Sequence, residues 1–233
     1  MKTNRWSKPL VACLLFAFSI KVNASWPSFP HAPNMESEWI ADQMVYNGVP
    51  MWVEQFSCIC SVEKVLDYYR RRWGRLEHGF VENEMGEYKQ ISRGEEGFFF
   101  SVQVKEKNNG EGESEGRLSI TAVPPAGSEP PVLGAGVPQP DFSRVLNDVQ
   151  DAVPGKRIRT VALYNDMDMM TNTNFYRTHF SERGWKSMLQ TVKPEKGSQA
   201  LSFTYKNKDV NIVIYPGQNG QSNILYNEVE LVR

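Results

Sequence analysis

Cysteine is nearly absent from this chain. Of three in the sequence, Cys13 sits in an amino-terminal apolar run, which leaves only Cys58 and Cys60 beyond it. Two cysteines cannot build a disulfide framework, so a hydrophobic core must hold the fold together. Histidine is equally sparse: His31, His78 and His179 stand far apart and form no HExxH or HxH spacing. There is no GxSxG, no phosphate-binding P-loop and no SxxK, which removes the common nucleophilic and nucleotide-binding classes. After residue 24 no long apolar run remains, so no membrane insertion of the mature chain is expected. Surplus positive charge is missing too. That argues against nucleic acid and against anionic membrane surfaces as partners.

The amino terminus is where apolar residues do cluster. Lys2, Arg5 and Lys8 precede the 11-residue run LVACLLFAFSI, and VNA stands just ahead of Ser25. Positive, apolar and small-residue regions in that order read as a secretory signal peptide over residues 1–24, cleaved near Ala24. Cys13 falls before most of the apolar run, so a lipid anchor there would leave almost no membrane-inserting segment. Cleavage removes four of the 26 basic residues and none of the 27 acidic ones, leaving the mature chain acidic. An exported chain with so little cysteine fits a bacterial periplasm, or release from it.

Residues 123–142, VPPAGSEPPVLGAGVPQPDF, hold six prolines and three glycines, a composition that disfavours helix and central strand. The chain divides around it: a first module over 25–123 with an amino-terminal extension, a Pro/Gly-rich linker over 124–150, and a second module over 151–233. The two flanking segments resemble each other. At an offset of 107, YYRRRW (68–73) falls on FYRTHF (175–180), and HGF (78–80) corresponds to RGW (183–185). A β-rich run precedes each phrase, PMWVEQF in one and IRTVALY in the other, and further strand-like runs follow. Glycine- and asparagine-rich breaks such as NNGEGESEG and GQNGQSN suit hairpin tips.

The fold class predicted is therefore α+β: two duplicated modules, each strand–helix–four strands, with one helix on a mainly antiparallel sheet. Helices are predicted over 61–73 and 171–183, with Ser61 and Thr171 as N-caps. Val62, Val65, Leu66, Tyr69 and Trp73 form one apolar stripe on the first. Met169, Thr173, Tyr176 and Phe180 form the equivalent on the second. Arg70, Arg71 and Arg72 read as a solvated face, with an anion patch as the alternative.

Candidate chemistry centres on Cys58 and Cys60, which fall on Asn165 and Met167 in the second copy. Three readings are open. A disulfide between residues i and i+2 needs the strand to curve, because those Cα atoms lie about 6.5–7 Å apart in a flat strand. A helix start there would lower a thiol pKa and favour redox activity. A soft-metal site could instead recruit Met167, Met169 or Met170, were the two helix starts to face each other. Otherwise the pair is structural. Asp166 and Asp168 form a D-x-D just before a helix, where the dipole alone favours acidic residues.

Two functions follow from these residues. The first is a non-enzymatic periplasmic binding or assembly protein, with a protein partner in an envelope or secretion complex and no cofactor. The other is a periplasmic thiol-redox or copper-handling protein using Cys58 and Cys60.

Overall fold

The computed structural model describes residues 26–108, 112–188 and 197–232. The leader assigned to residues 1–24, with Cys13, lies outside them. The chain runs β1 (Met35–Tyr46), β2 (Val49–Cys58), α1 (Val62–Trp73), β3 (Val81–Met85), β4 (Tyr88–Glu95), β5 (Phe98–Glu106), β6 (Ser114–Ala122). It continues β7 (Arg144–Val153), β8 (Lys156–Asn165), α2 (Met169–Glu182), β9 (Lys186–Ser187), β10 (Gln199–Tyr205), β11 (Lys208–Pro216), β12 (Ser222–Leu231).

The predicted α+β class of two duplicated helix-on-sheet modules is not what forms. Among the described residues twelve strands join one antiparallel sheet, in the order β3-β4-β5-β6-β2-β1-β7-β8-β12-β11-β10-β9, and two short α-helices accompany it. The sheet is continuous because β1 and β7 pair with each other. Both lie where no strand was expected, β1 in the amino-terminal extension and most of β7 in the 124–150 segment. Each carries β-bulge irregularities, two in β1 and one in β7. An extra residue shifts the side chains beyond it to the other face, which erases the alternation that marks a strand.

Outward from this seam, the strand order is β1-β2-β6-β5-β4-β3 on one side and β7-β8-β12-β11-β10-β9 on the other. Register therefore assigns corresponding positions in the two halves, Ser61 with Asp168 and Tyr69 with Tyr176 among them. Following the pairing from β2 through β1 and β7 to β8 places both helices on the same face of the sheet.

The first helix buries the stripe read from its sequence; on the second, Asn172 is buried and Met169 of the expected stripe only partly so. Val62, Val65, Leu66, Tyr69 and Trp73 of α1 pack over Ile91, Val102, Val104 and Leu118. On α2 the buried set is Asn172, Thr173, Tyr176 and Phe180. Its N-cap is Asp168, not Thr171: the Asp168 carboxylate accepts from Thr171 N at 2.8 Å and from Thr171 Oγ1 at 2.8 Å. The carboxylate satisfies an orphan N–H of the first turn together with the Thr171 hydroxyl and is favoured by the dipole, so the charged residue wins the position.

Two segments without regular structure complete the covered face. Residues 26–34, the first strap, cross the sheet beside α1. Phe29 is buried there against Trp52, Tyr69, Trp73 and Phe100. Residues 134–142, the second strap, place Val137 in the core under α2. Both end in the same turn: Met35 N donates to Ala32 O and Ser143 N to Pro140 O, with Asn34 and Phe142 at positive φ. Part of the proline-rich stretch, around Gly134, Val137 and Pro140, is thus core cover, while residues 123–132 are exposed. Pro131 also sits on the β1–β2 hairpin, so close to Gly48 that a Cβ there would overlap it.

Candidate functional site

Cys58 ends β2 and Cys60 opens the turn into α1, and the two form a disulfide with Cα atoms 5.1 Å apart. The backbone curves at this corner, bringing the Cα atoms within bridging range. Cys58 is 2 % and Cys60 8 % exposed, so little sulfur surface is open to attack.

The corresponding corner closes the same i to i+2 gap without sulfur. Asn165 Oδ1 accepts from Met167 N at 3.1 Å, and the Asn165 and Asn172 amides exchange hydrogen bonds of 2.8 and 3.0 Å. Asn172 stands where α1 carries Val65. A buried amide needs an amide partner, whereas the disulfide needs only an apolar neighbour. The chemistry differs; the geometry it secures is the same.

Topology separates the soft-metal set. β2 and β8 have two strands between them and run antiparallel, so their carboxyl ends, and the helix starts that follow, lie at opposite ends of the sheet. Met167, Met169 and Met170 therefore do not approach Cys58 and Cys60. Among the described residues no three His, Cys, Asp or Glu side chains gather as a metal site. Asp166 accepts from Gln221 Nε2 at 2.9 Å while Asp168 caps α2, so the D-x-D is spent on local structure.

The arginine run is partly neutralised. Arg70 donates to Glu82 at 2.6 and 2.7 Å, to Asp67 at 2.9 Å and to Glu63 at 3.0 Å. His179 is half-buried and stacks on Phe175 at 5.8 Å; burial and Arg183 push its pKa down.

Sequence reasoning missed the ionisable groups on the covered face. Glu54 is 5 % exposed in β2 and pairs with His31 of the first strap at 2.7 Å. Its counterpart in β8 is Val161. In the second half Asp148, 3 % exposed, takes the latch role: it accepts from Arg159 at 2.9 and 2.6 Å and from Gly134 N at 2.8 Å. Arg159 also donates to Ala135 O at 2.9 Å. Each strap is thus tied down by one buried carboxylate.

Arg93 has no such role. It sits in β4, 8 % exposed, where the corresponding β10 position is Phe203, stacked on Phe180 at 4.5 Å. One terminal nitrogen pairs with Glu95 at 2.6 Å, the guanidinium carbon lies 6.0 Å from the Phe100 ring centroid, and Nε is buried without a partner. Arg93 lines a cavity of about 610 Å³ between the first strap, the end of α1 and the β4–β5 hairpin. Arg72, Arg75, Trp73, Phe98 and Glu96 share the lining. An arginine replacing a core phenylalanine was invisible in the sequence, because only register pairs 93 with 203. No protein-family model, curated protein or solved structure matches the chain.

Proposed function

We propose that this chain is a non-catalytic binding protein of a bacterial cell envelope, exported by its amino-terminal leader and working in the periplasm. One observation carries the binding reading. Where the second half has the core aromatic Phe203, the first has the buried Arg93 at the same register position, with one N–H unpaired, beside a cavity of about 610 Å³. Burying a guanidinium with an unpaired N–H is costly, and such costs are retained where they serve binding. A cavity of that size with apolar walls and a few polar groups is of ligand-binding dimensions. The leader's basic, apolar and small-residue regions support export.

The test is crosslinking of the exported protein in intact cells, with wild type compared against Arg93→Phe and against a second-half control, Tyr205→Ala. A crosslinked envelope component that disappears in Arg93→Phe and persists in the control is the expected result. Cytoplasmic retention of the chain, or crosslinks that ignore Arg93, would refute the reading.

A further inference from the structure

We propose that the Arg93 cavity is a seat for a carboxylate carried on an apolar body, a proposal that rests on the binding reading above and names its ligand class. The charge count sets the anion. Arg72, Arg75 and Arg93 face Glu95 and Glu96 around one cavity, a balance of one positive charge. That balance suits a monoanion and not a phosphate, whose second charge would meet the two glutamates unpaired. Arg93 supplies the geometry. Its guanidinium is held by Glu95 on one nitrogen and against Phe100 on its face, so it is pre-aimed and loses little freedom on binding. The apolar body has its own surface: the half-buried Phe98 on the wall, over the buried Trp73, and Leu76, 41 % exposed, at the rim. Glu95 is 46 % exposed on its side chain and can swing to solvent when an incoming carboxylate takes its place on Arg93. The exchange is one carboxylate for another, with no proton moved and no covalent step.

The seat is specific to the first half. The position corresponding to Arg93 is Phe203, whose ring fills the space against Phe180. A free hydrophobic acid and the carboxyl-terminal residue of a peptide present the same chemistry.

The experiment follows tryptophan fluorescence of the mature full chain, residue 25 onward, titrated with 3-phenylpropanoate and with a tripeptide ending in phenylalanine. Each is paired with its carboxamide. Saturable binding of either acid, with its amide at least about tenfold weaker, is expected, since a charge-assisted hydrogen bond to a buried guanidinium is lost. The arm that saturates at lower concentration identifies the source. Arg93→Phe should abolish binding, and the second half demonstrates that a phenylalanine packs at this place in the sheet. Glu95→Gln, which keeps an amide oxygen as acceptor for Arg93 and whose fold is checked by circular dichroism, should tighten binding by removing the competing carboxylate. Equal binding of acids and amides, unchanged affinity in Glu95→Gln and Arg93→Phe, or no saturation by either acid would overturn the proposal. If the acids fail while Arg93→Phe still erases the envelope crosslink, the ligand class falls and the binding reading stands. If that crosslink is also indifferent to Arg93, both fall.

Discussion

Two tyrosines at corresponding positions show how much one acceptor matters. Tyr69 and Tyr176 are both fully buried on the inner faces of their helices, and burial pushes both hydroxyls' pKa values up. Tyr69 Oη donates to Pro30 O at 2.8 Å, whereas Tyr176 Oη has no partner among the described residues. Tyr69→Phe should therefore cost about 1 kcal/mol, the net worth of a satisfied hydrogen bond. Tyr176→Phe removes an orphan donor and should be neutral or stabilising; urea denaturation midpoints of the two variants give the comparison. The cysteines obey similar logic. A disulfide closing so short a loop restrains the unfolded chain by only about 1–2 kcal/mol. Cys58→Ala with Cys60→Ala is expected to lower stability by that amount and leave the Arg93-dependent crosslink in place. Loss of the crosslink in a folded double variant would restore the thiol reading.

At the scale of elements, the straps are what make each helix-covered face a core. Strap two depends on Asp148. Burial alone would raise the pKa of its carboxyl, but the Arg159 guanidinium and Gly134 N–H outweigh that and hold it below the ordinary value of 3.8. A carboxylate whose folded pKa is depressed stabilises above its unfolded pKa. That contribution is lost as pH falls through the folded value. Stability should thus drop as pH is lowered below about 4. Asp148→Asn should be less stable than wild type at pH 7 and show a shallower decline between pH 5 and 2. Thermal midpoints across that range decide it, and an unchanged slope in the variant would show that Asp148 is not the titrating latch. The first strap was legible only as an amino-terminal extension, because FPHAPN has neither helical nor strand periodicity. Its role depends on Phe29 meeting four aromatic rings contributed by β2, α1 and β5.

For the whole molecule, the seam decides cooperativity. β1 and β7 pair through Val45↔Gln150 and Tyr46↔Val149. Asn47 extends the junction: its N donates to Asp148 O at 2.8 Å and its Oδ1 accepts from Asp148 N at 2.8 Å. Tyr46 Oη adds a bond to Asn147 Oδ1 at 2.7 Å. Asn47 has φ +49, which glycine tolerates, so Asn47→Gly removes the side-chain acceptor without straining the turn. Calorimetry of this variant should show a broadened or split transition, since each half has its own core and the seam is narrow. A single sharp transition at the wild-type temperature would mean that the proline-rich crossing at Gly48 couples the halves instead. The bare face of the sheet, with Tyr215, Leu225 and Leu231 exposed, carries neither helix.

Periodicity and spacing alone determined the two helices, the buried stripe of α1 and the glycine-rich hairpin tips before β6 and β12, because amphipathic spacing and turn chemistry are local properties. The kinship of YYRRRW and FYRTHF was equally readable, as was the chance that Cys58 and Cys60 bridge a curved corner. Only the tertiary structure decided that there is one sheet and not two. The strands that join it are bulged and polar, and a strand's place is fixed by its partner's hydrogen bonds, which a sequence does not display. It also separated the methionines from the cysteines, since antiparallel order sends the two helix starts to opposite ends. Above all, it placed Arg93 where a core phenylalanine stands in the other half. Burial and register are relations between distant residues, and charge in a sequence reads as surface until both are known.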